Sequence, residues 1–285
     1  MKRIGIIDYF LDEYHAHVAP KNVDAVSKKL GYDFKIVAAY AERDADGGLT
    51  TDEFCEKYSV KRCGSIEELA TLVDCFMILA PDNNEKKEGY ALEAVKYGKP
   101  IFMDKTFTES YESAVRIFDA ADKAGVPLFS SSSLRYASEL QPYKTDCTSV
   151  LVTGSGVELE MYAVHYLEIV ISCMGVGIGS VRHEMRGEQE WAHIEYSDGR
   201  HATFAISMGK YLGFRVFLTD RDGITDDIQI GSDIFALQMA AVLKFFKTGA
   251  ADFDRAETLE LMRVYDAIFE SKGGNGKWVN LQKIN

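Results

Sequence analysis

The first 130 residues alternate short, wholly apolar runs with stretches of helical spacing. Residues 4–7, 34–40, 75–79, 101–103 and 126–129 read as strands with no polar face. Between them the pattern predicts helices over 14–30, 52–57, 66–72 and 85–97, the last stopped by Gly98 and Pro100. Tyr111, Ala114, Val115 and Phe118 fall at i, i+3, i+4 and i+7, the apolar stripe of a further helix. Strands that are apolar throughout must be covered on both faces. Separated by helices, they predict an α/β domain with a Rossmann-like parallel sheet.

The pattern changes after the serine run 130–133. A strand is predicted at 149–153, a helix at 158–173, and strands at 181–186, 191–196, 201–208 and 214–218. Ser197-Asp198-Gly199-Arg200 is a hairpin signal, because glycine tolerates positive φ. Two helices close the chain, one with the stripe Ile234, Leu237 and Ala241, the other with Leu261, Tyr265 and Ile268. These features predict a C-terminal α+β domain with a mostly antiparallel open sheet. The expected division is 1–130 and 131–285.

Composition narrows the class. The chain has 285 residues, 47% hydrophobic and 27% charged, which is globular and neither fibrous nor disordered. Asp plus Glu number 44 against 32 Lys plus Arg, a net charge of -12. An acidic surface repels nucleic acid and anionic membranes, so neither is an expected partner. The densest cationic stretch, Lys86-Lys87, is flanked by Glu85 and Glu88. Cys55, Cys63, Cys75, Cys147 and Cys173 form no Cys-x-x-Cys or zinc spacing and are expected as reduced core thiols. Asp8 interrupts the first apolar run after four residues, and no window has the length to span a bilayer. A cytoplasmic protein is the expectation.

Four ordered motifs carry a resemblance. The first is Pro81, a helix ending in Gly98-Lys99-Pro100, a strand, then Asp104-Lys105-Thr106. The second is Ser133-Leu134-Arg135-Tyr136. Gly154-Ser155-Gly156 follows, before a helix with His165, Glu168 and Gly175. The last is Ile194-Glu195-Tyr196-Ser197-Asp198-Gly199. Together they resemble the Gfo/Idh/MocA oxidoreductases, the family of glucose-fructose oxidoreductase and inositol dehydrogenase. The resemblance implies hydride transfer between NAD or NADP and a hydroxyl-bearing carbon of a sugar or polyol. It gives Lys105 the task of polarising the oxygen and His165 that of carrying the proton. Pro81 and Asp104 would line the nicotinamide, and Arg135 would contact the carboxamide region or the substrate. The substrate would lie between the domains, and a homodimer or homotetramer is implied.

Two departures stand out. The family's Gly-x-Gly-x-x-Gly is matched here by Asp8-Tyr9-Phe10-Leu11-Asp12-Glu13, with no glycine. Asp8, Phe10 and Leu11 thus hold the coenzyme-facing positions. Carboxylates beside a pyrophosphate repel it by about 1–4 kcal/mol per close pair. The family's Asp one helical turn before the histidine is Met161 here, which leaves Glu168 as the candidate to orient His165.

Each candidate has a plainer reading. Lys105 could be a solvated loop lysine at the carboxyl end of a strand, and His165 a satisfied core residue. Glu42 would hold a ribose hydroxyl and argues for NAD, while Arg43 would accept a 2′-phosphate and argues for NADP; both could be ordinary loop charges. Asp12, Glu13, His15 and His17 could bind a cation or a sugar, or cap the first helix. His183, His193 and His201 are strand residues with no metal spacing, and no metal is expected. The alternative to an oxidoreductase is a coenzyme-independent relative that binds or senses a small molecule.

Overall fold

The computed structural model describes residues 1–209 and 211–281. The chain divides into two units, Met1–Ser131 with Phe235–Phe253, and Ser132–Ile234 with the residues from Asp254 onward. In the first unit β1 (Lys2–Asp8), α1 (Tyr14–Leu30), β2 (Phe34–Ala41), α2 (Thr51–Tyr58), β3 (Lys61–Arg62), α3 (Ile66–Leu72), β4 (Cys75–Ile78), α4 (Asn84–Val95), β5 (Ile101–Asp104), α5 (Tyr111–Ala124) and β6 (Leu128–Ser131) follow one another. The strands form a six-stranded sheet in the order β3-β2-β1-β4-β5-β6, every pairing parallel. That is the doubly wound order. Its ligand crevice lies outside the carboxyl ends of the strands, at the reversal between β1 and β4. Asp8 and Asp104 end β1 and β5 on that edge.

Ile4, Ile6, Ala39, Met77 and Phe102 of the sheet pack with Val23 and Val26 of α1 in the core. Gly5 has a packing reason: a β-carbon there would lie 2.9 Å from Leu69 Cδ1 on α3. Gly31, at φ 65, ends α1 in a left-handed turn that glycine adopts without strain.

The second unit opens with short 3₁₀ turns at Ser133–Tyr136 and Ser138–Tyr143. There follow β7 (Cys147–Gly156), α6 (Leu159–Met174), β8 (Ile178–Arg186), β9 (Gln189–Tyr196), β10 (His201–Met208), β11 (Arg215–Asp220), β12 (Thr225–Gln229), α7 (Ile234–Thr248), α8 (Arg255–Gly273) and β13 (Val279–Asn280). The sheet order is β12-β11-β7-β10-β9-β8-β13. Only β7 and β10 are parallel among its described pairings. The expected hairpin joins β9 to β10, with Gly199 at φ 92 and Tyr196 N–H donating to the Arg200 carbonyl at 2.8 Å.

Both expected fold classes are present. The division differs in one respect: nearly all of α7 packs with the first unit. Its Phe245 ring lies 4.6 Å from Phe129, and Leu243 and Phe246 complete the core beneath the sheet. Such a return of the chain leaves no local signature. All five cysteines are buried and free. No described helix is long and apolar enough to cross a membrane.

Candidate functional site

In the first unit the carboxyl edge of the sheet carries six titratable side chains: Asp8, Glu13, His15, Lys87, Asp104 and Lys105. Every one except His15 is buried. Lys105 directly follows β5, joined to Thr106 by a cis peptide. The side chain is 6% exposed, and its ammonium has no hydrogen-bond or ion-pair partner among the described residues. Beside it, Asp104 Oδ2 lies 2.8 Å from His15 Nδ1, a close ion pair whose ring N–H is poorly aligned on the oxygen. Burial acts against both charges. The Asp104 carboxylate outweighs it and raises His15; His15, Lys87 and Lys105 together outweigh it and lower Asp104.

Lys87 escaped the sequence reading. It projects from α4, fully buried, and its ammonium donates to the carbonyls of Asp104 (3.0 Å), Lys105 (2.8 Å) and Thr106 (2.7 Å). Burial lowers its pKa to about 7, against the pull of Asp104 and Asp8. One side chain thus holds the backbone that presents Lys105. The signal was present in the helical stripe Lys87, Tyr90, Ala91 and Ala94, whose other members are apolar.

The first turn is filled with side chains. Asp8 Oδ1 accepts from Tyr9 N–H at 2.7 Å and Ala80 N–H at 3.1 Å, while Oδ2 is buried without a partner. Glu13 caps α1: its carboxylate accepts from His15 N–H at 2.6 Å and from Ala16 N–H. Burial raises both acids, and Asp8 repels Glu13 further, so the two titrate together. These amides at a helix N-terminus are the donors that a Rossmann turn offers to a pyrophosphate. With Glu13 on them, the turn does not fit a dinucleotide pyrophosphate. Phe10 lines a groove of about 460 Å³ with Tyr9, Arg43 and Asp46. Leu11 corrects the expectation of a coenzyme-facing residue: at 1% exposed it belongs to the hydrophobic core.

The suggested cluster of Asp12, Glu13, His15 and His17 separates into pairs. Asp12 holds His17 Nε2 at 2.6 Å and accepts from Leu49 N–H, whereas His15 turns to Asp104. No group of three or more potential metal ligands occurs among the described residues. Glu42, just beyond β2, accepts from Lys86 Nζ at 2.6 Å and from Tyr90 Oη at 2.7 Å, which lowers its pKa. Both of its oxygens are therefore engaged. Arg43 lies over the Tyr9 ring at 5.9 Å and pairs with Asp46. Pro81 is buried just past β4.

In the second unit His165 sits on α6, with Nδ1 2.7 Å from Ser132 Oγ. Ser132, and not Glu168, therefore orients the imidazole. Glu168 is turned instead to Ser132 N–H (3.0 Å) and Arg135 Nε (2.6 Å). Arg135 also binds Glu257 at 2.7 Å and is 2% exposed. This corrects the expectation that Arg135 meets coenzyme or substrate: its guanidinium is the centre of a buried Glu168–Arg135–Glu257 network. Burial raises Glu168 even beside Arg135, and the two carboxylates raise Arg135 against its own burial. His183 pairs with Glu190, His193 stacks on Trp191 at 6.3 Å, and His201 meets Ser149 at 3.1 Å.

Comparison with known proteins bears on these groups. Residues 7–132 match the model of an oxidoreductase family with an NAD-binding Rossmann fold. No curated protein matches the chain in sequence. Among solved structures, GenD2 from gentamicin A biosynthesis, in complex with NAD, is similar at TM-score 0.78 and 15% identity, over 98% of this chain and 97% of that one. An oxidoreductase from Agrobacterium radiobacter in complex with NAD+, L-tartaric acid and magnesium is similar at TM-score 0.75 and 13% identity, over 100% and 99%. The UDP-N-acetylglucosamine 3-dehydrogenase GnnA from Acidithiobacillus ferrooxidans gives TM-score 0.74 and 13% identity, over 94% and 96%. At such identities the likeness is one of fold.

Proposed function

We propose, from the premise that residues 7–132 form a Rossmann domain of the Gfo/Idh/MocA oxidoreductase family, that the chain engages a hydroxyl group of a sugar or polyol. The observation that carries this reading is the Lys105 ammonium, on a largely buried residue at the ligand edge of the sheet, with no partner among the described residues. In this reading Lys105 donates to the hydroxyl oxygen and stabilises negative charge developing there. Lys87 fixes the carbonyls on either side of it, so the ammonium is held in place before the ligand arrives. The family resemblance gives His165, in the second unit, the part of proton carrier, and its Nδ1 faces Ser132 Oγ.

In the family a nicotinamide coenzyme, NAD or NADP, supplies the hydride acceptor for such a hydroxyl. Glu42 supports NAD and Arg43 supports NADP, each by position alone. The first turn of this chain does not fit that coenzyme's pyrophosphate. That same turn favours a second reading, a coenzyme-independent member of the family that binds or senses a small polyol.

The test is a thermal-shift and calorimetric panel of neutral sugars and polyols against the wild type and Lys105→Ala, with and without NAD+ or NADP+. The reading expects at least one compound to raise the wild-type Tm and to leave Lys105→Ala unmoved. Equal shifts in both proteins would remove Lys105 from the site. Production of NAD(P)H with the bound compound selects the oxidoreductase; binding without turnover selects the second reading.

A further inference from the structure

In a Rossmann turn the amides at the start of the first helix are left open for a diphosphate, and three glycines keep side chains out of its way. Here each glycine position carries a side chain: Asp8, Phe10 and Glu13. Two of these are buried acids. One Glu13 oxygen takes the N–H of His15, the other that of Ala16, and the Glu13 carbonyl takes the N–H of His17 at 3.1 Å. A carboxylate with one oxygen on each of two successive amides makes the contacts that two phosphate oxygens would make. It is covalently part of the chain, so its effective concentration exceeds that of a free nucleotide.

Three of the neighbouring basic groups are already engaged. His15 is committed to Asp104, His17 to Asp12, and Lys87 to three backbone carbonyls. A pyrophosphate entering this turn would have to displace Glu13 and then lie beside it, Asp8 and Asp12.

We infer that the Glu13 carboxyl group occupies the place the fold keeps for a coenzyme's pyrophosphate, so that the wild-type chain does not hold a dinucleotide there. The ligand of this unit is then a molecule without a diphosphate, selected by the hydroxyl chemistry of Lys105. The inference rests on the Rossmann topology of the first unit, and it deepens the proposed function without depending on which polyol binds.

The experiment is a fluorescence titration of NADH and NADPH into the wild type, Glu13→Ser, the double variant Asp8→Gly/Glu13→Gly, and Asp12→Asn. Serine keeps an oxygen to cap α1, so Glu13→Ser is expected to fold; circular dichroism and Tm verify this. Asp12→Asn removes a carboxylate from the same turn while leaving the helix amides occupied. The expected result is negligible binding by the wild type and by Asp12→Asn, with dissociation constants at least roughly tenfold lower for Glu13→Ser and lower again for the double variant. The inference is overturned in any of three ways. The wild type binds as tightly as the variants; folded variants bind no better than the wild type; or Asp12→Asn gains as much as Glu13→Ser, which would make the effect general charge and not occupancy. Polyol binding is read separately by calorimetry. A protein that binds no polyol yet shows the expected NADH series refutes the proposed function and leaves this inference standing.

Discussion

Replacing Arg135 with methionine would remove the one guanidinium that Glu168 and Glu257 share. Arg135 is 2% exposed, and its two bonds, 2.6 Å to Glu168 and 2.7 Å to Glu257, are charge-assisted. After Arg135→Met, Glu168 would keep only the Ser132 N–H, 3.0 Å away, as a donor among the described residues. Burial already raises the Glu168 pKa with the arginine present, so without it the acid is left either charged and unpaired or protonated at a cost. Breaking a buried ion network in this way costs about 3–5 kcal/mol, and at roughly 2–4 °C per kcal/mol the Tm should fall by roughly 6–20 °C. Both tryptophans, Trp191 and Trp278, lie in the second unit, so tryptophan fluorescence in a urea titration follows that unit alone. Arg135→Met/Glu168→Met removes the stranded charge together with its partner. The double variant should recover about 1 kcal/mol or more relative to additivity. A loss below about 1 kcal/mol in the single variant, or strict additivity in the double, would refute the account of a coupled network.

Two further predictions concern the first unit. Lys87→Met leaves three carbonyls without their donor but also relieves a buried ammonium. The net loss should be roughly 2–4 kcal/mol, measured by far-UV circular dichroism in urea, with an unchanged transition midpoint as the contrary result. Asp8 and Glu13 rise from 3.8 and 4.5 to about 8, chiefly through burial. An acid raised in this way holds its proton in the folded state after the unfolded state has lost it, so its contribution to stability declines as pH rises from about 4 toward 8. Lys87, lowered from 10.5 to about 7, acts in the opposite sense and adds stability as pH rises from about 7 to 10. Urea unfolding of the wild type at pH 5, 6.5 and 8 should therefore show a decline that Asp8→Asn/Glu13→Gln flattens; parallel profiles for the two proteins would contradict it.

The fold was legible where local pattern and burial coincide. The strand at 75–79 is apolar because both its faces are covered, the strand at 34–40 is apolar except at the exposed Lys35, and the helix over 14–30 ends at a glycine whose φ is positive. It was illegible where a third partner decides. The two residues of β3 are both exposed, and β12 reads Thr-Asp-Asp-Ile-Gln, so neither displays an apolar period; each exists because an edge strand offers it a ladder. Helix α7 has an apolar stripe that suits many surfaces, and only the folded chain shows that its surface is the first sheet.

The site divides in the same way. Lys105 was singled out through the motif Asp104-Lys105-Thr106, which falls at a strand end. Lys87 was missed because flanking glutamates made Lys86-Lys87 look like a solvated run, although helical spacing turns Lys86 outward to Glu42 and Lys87 inward to the loop carbonyls. Arg135 and Glu168 were singled out, but with the wrong partners, since charge pairing between a turn and two helices has no sequence spacing. The altered first turn is the most informative case. Glycines there make room for an anion that comes and goes. In this chain Asp8 and Glu13 fill that room, and the cluster that includes Asp104 sets three acids against His15, Lys87 and Lys105. The room that the fold normally keeps for a borrowed anion is taken up by the chain's own side chains, with Glu13 on the helix amides.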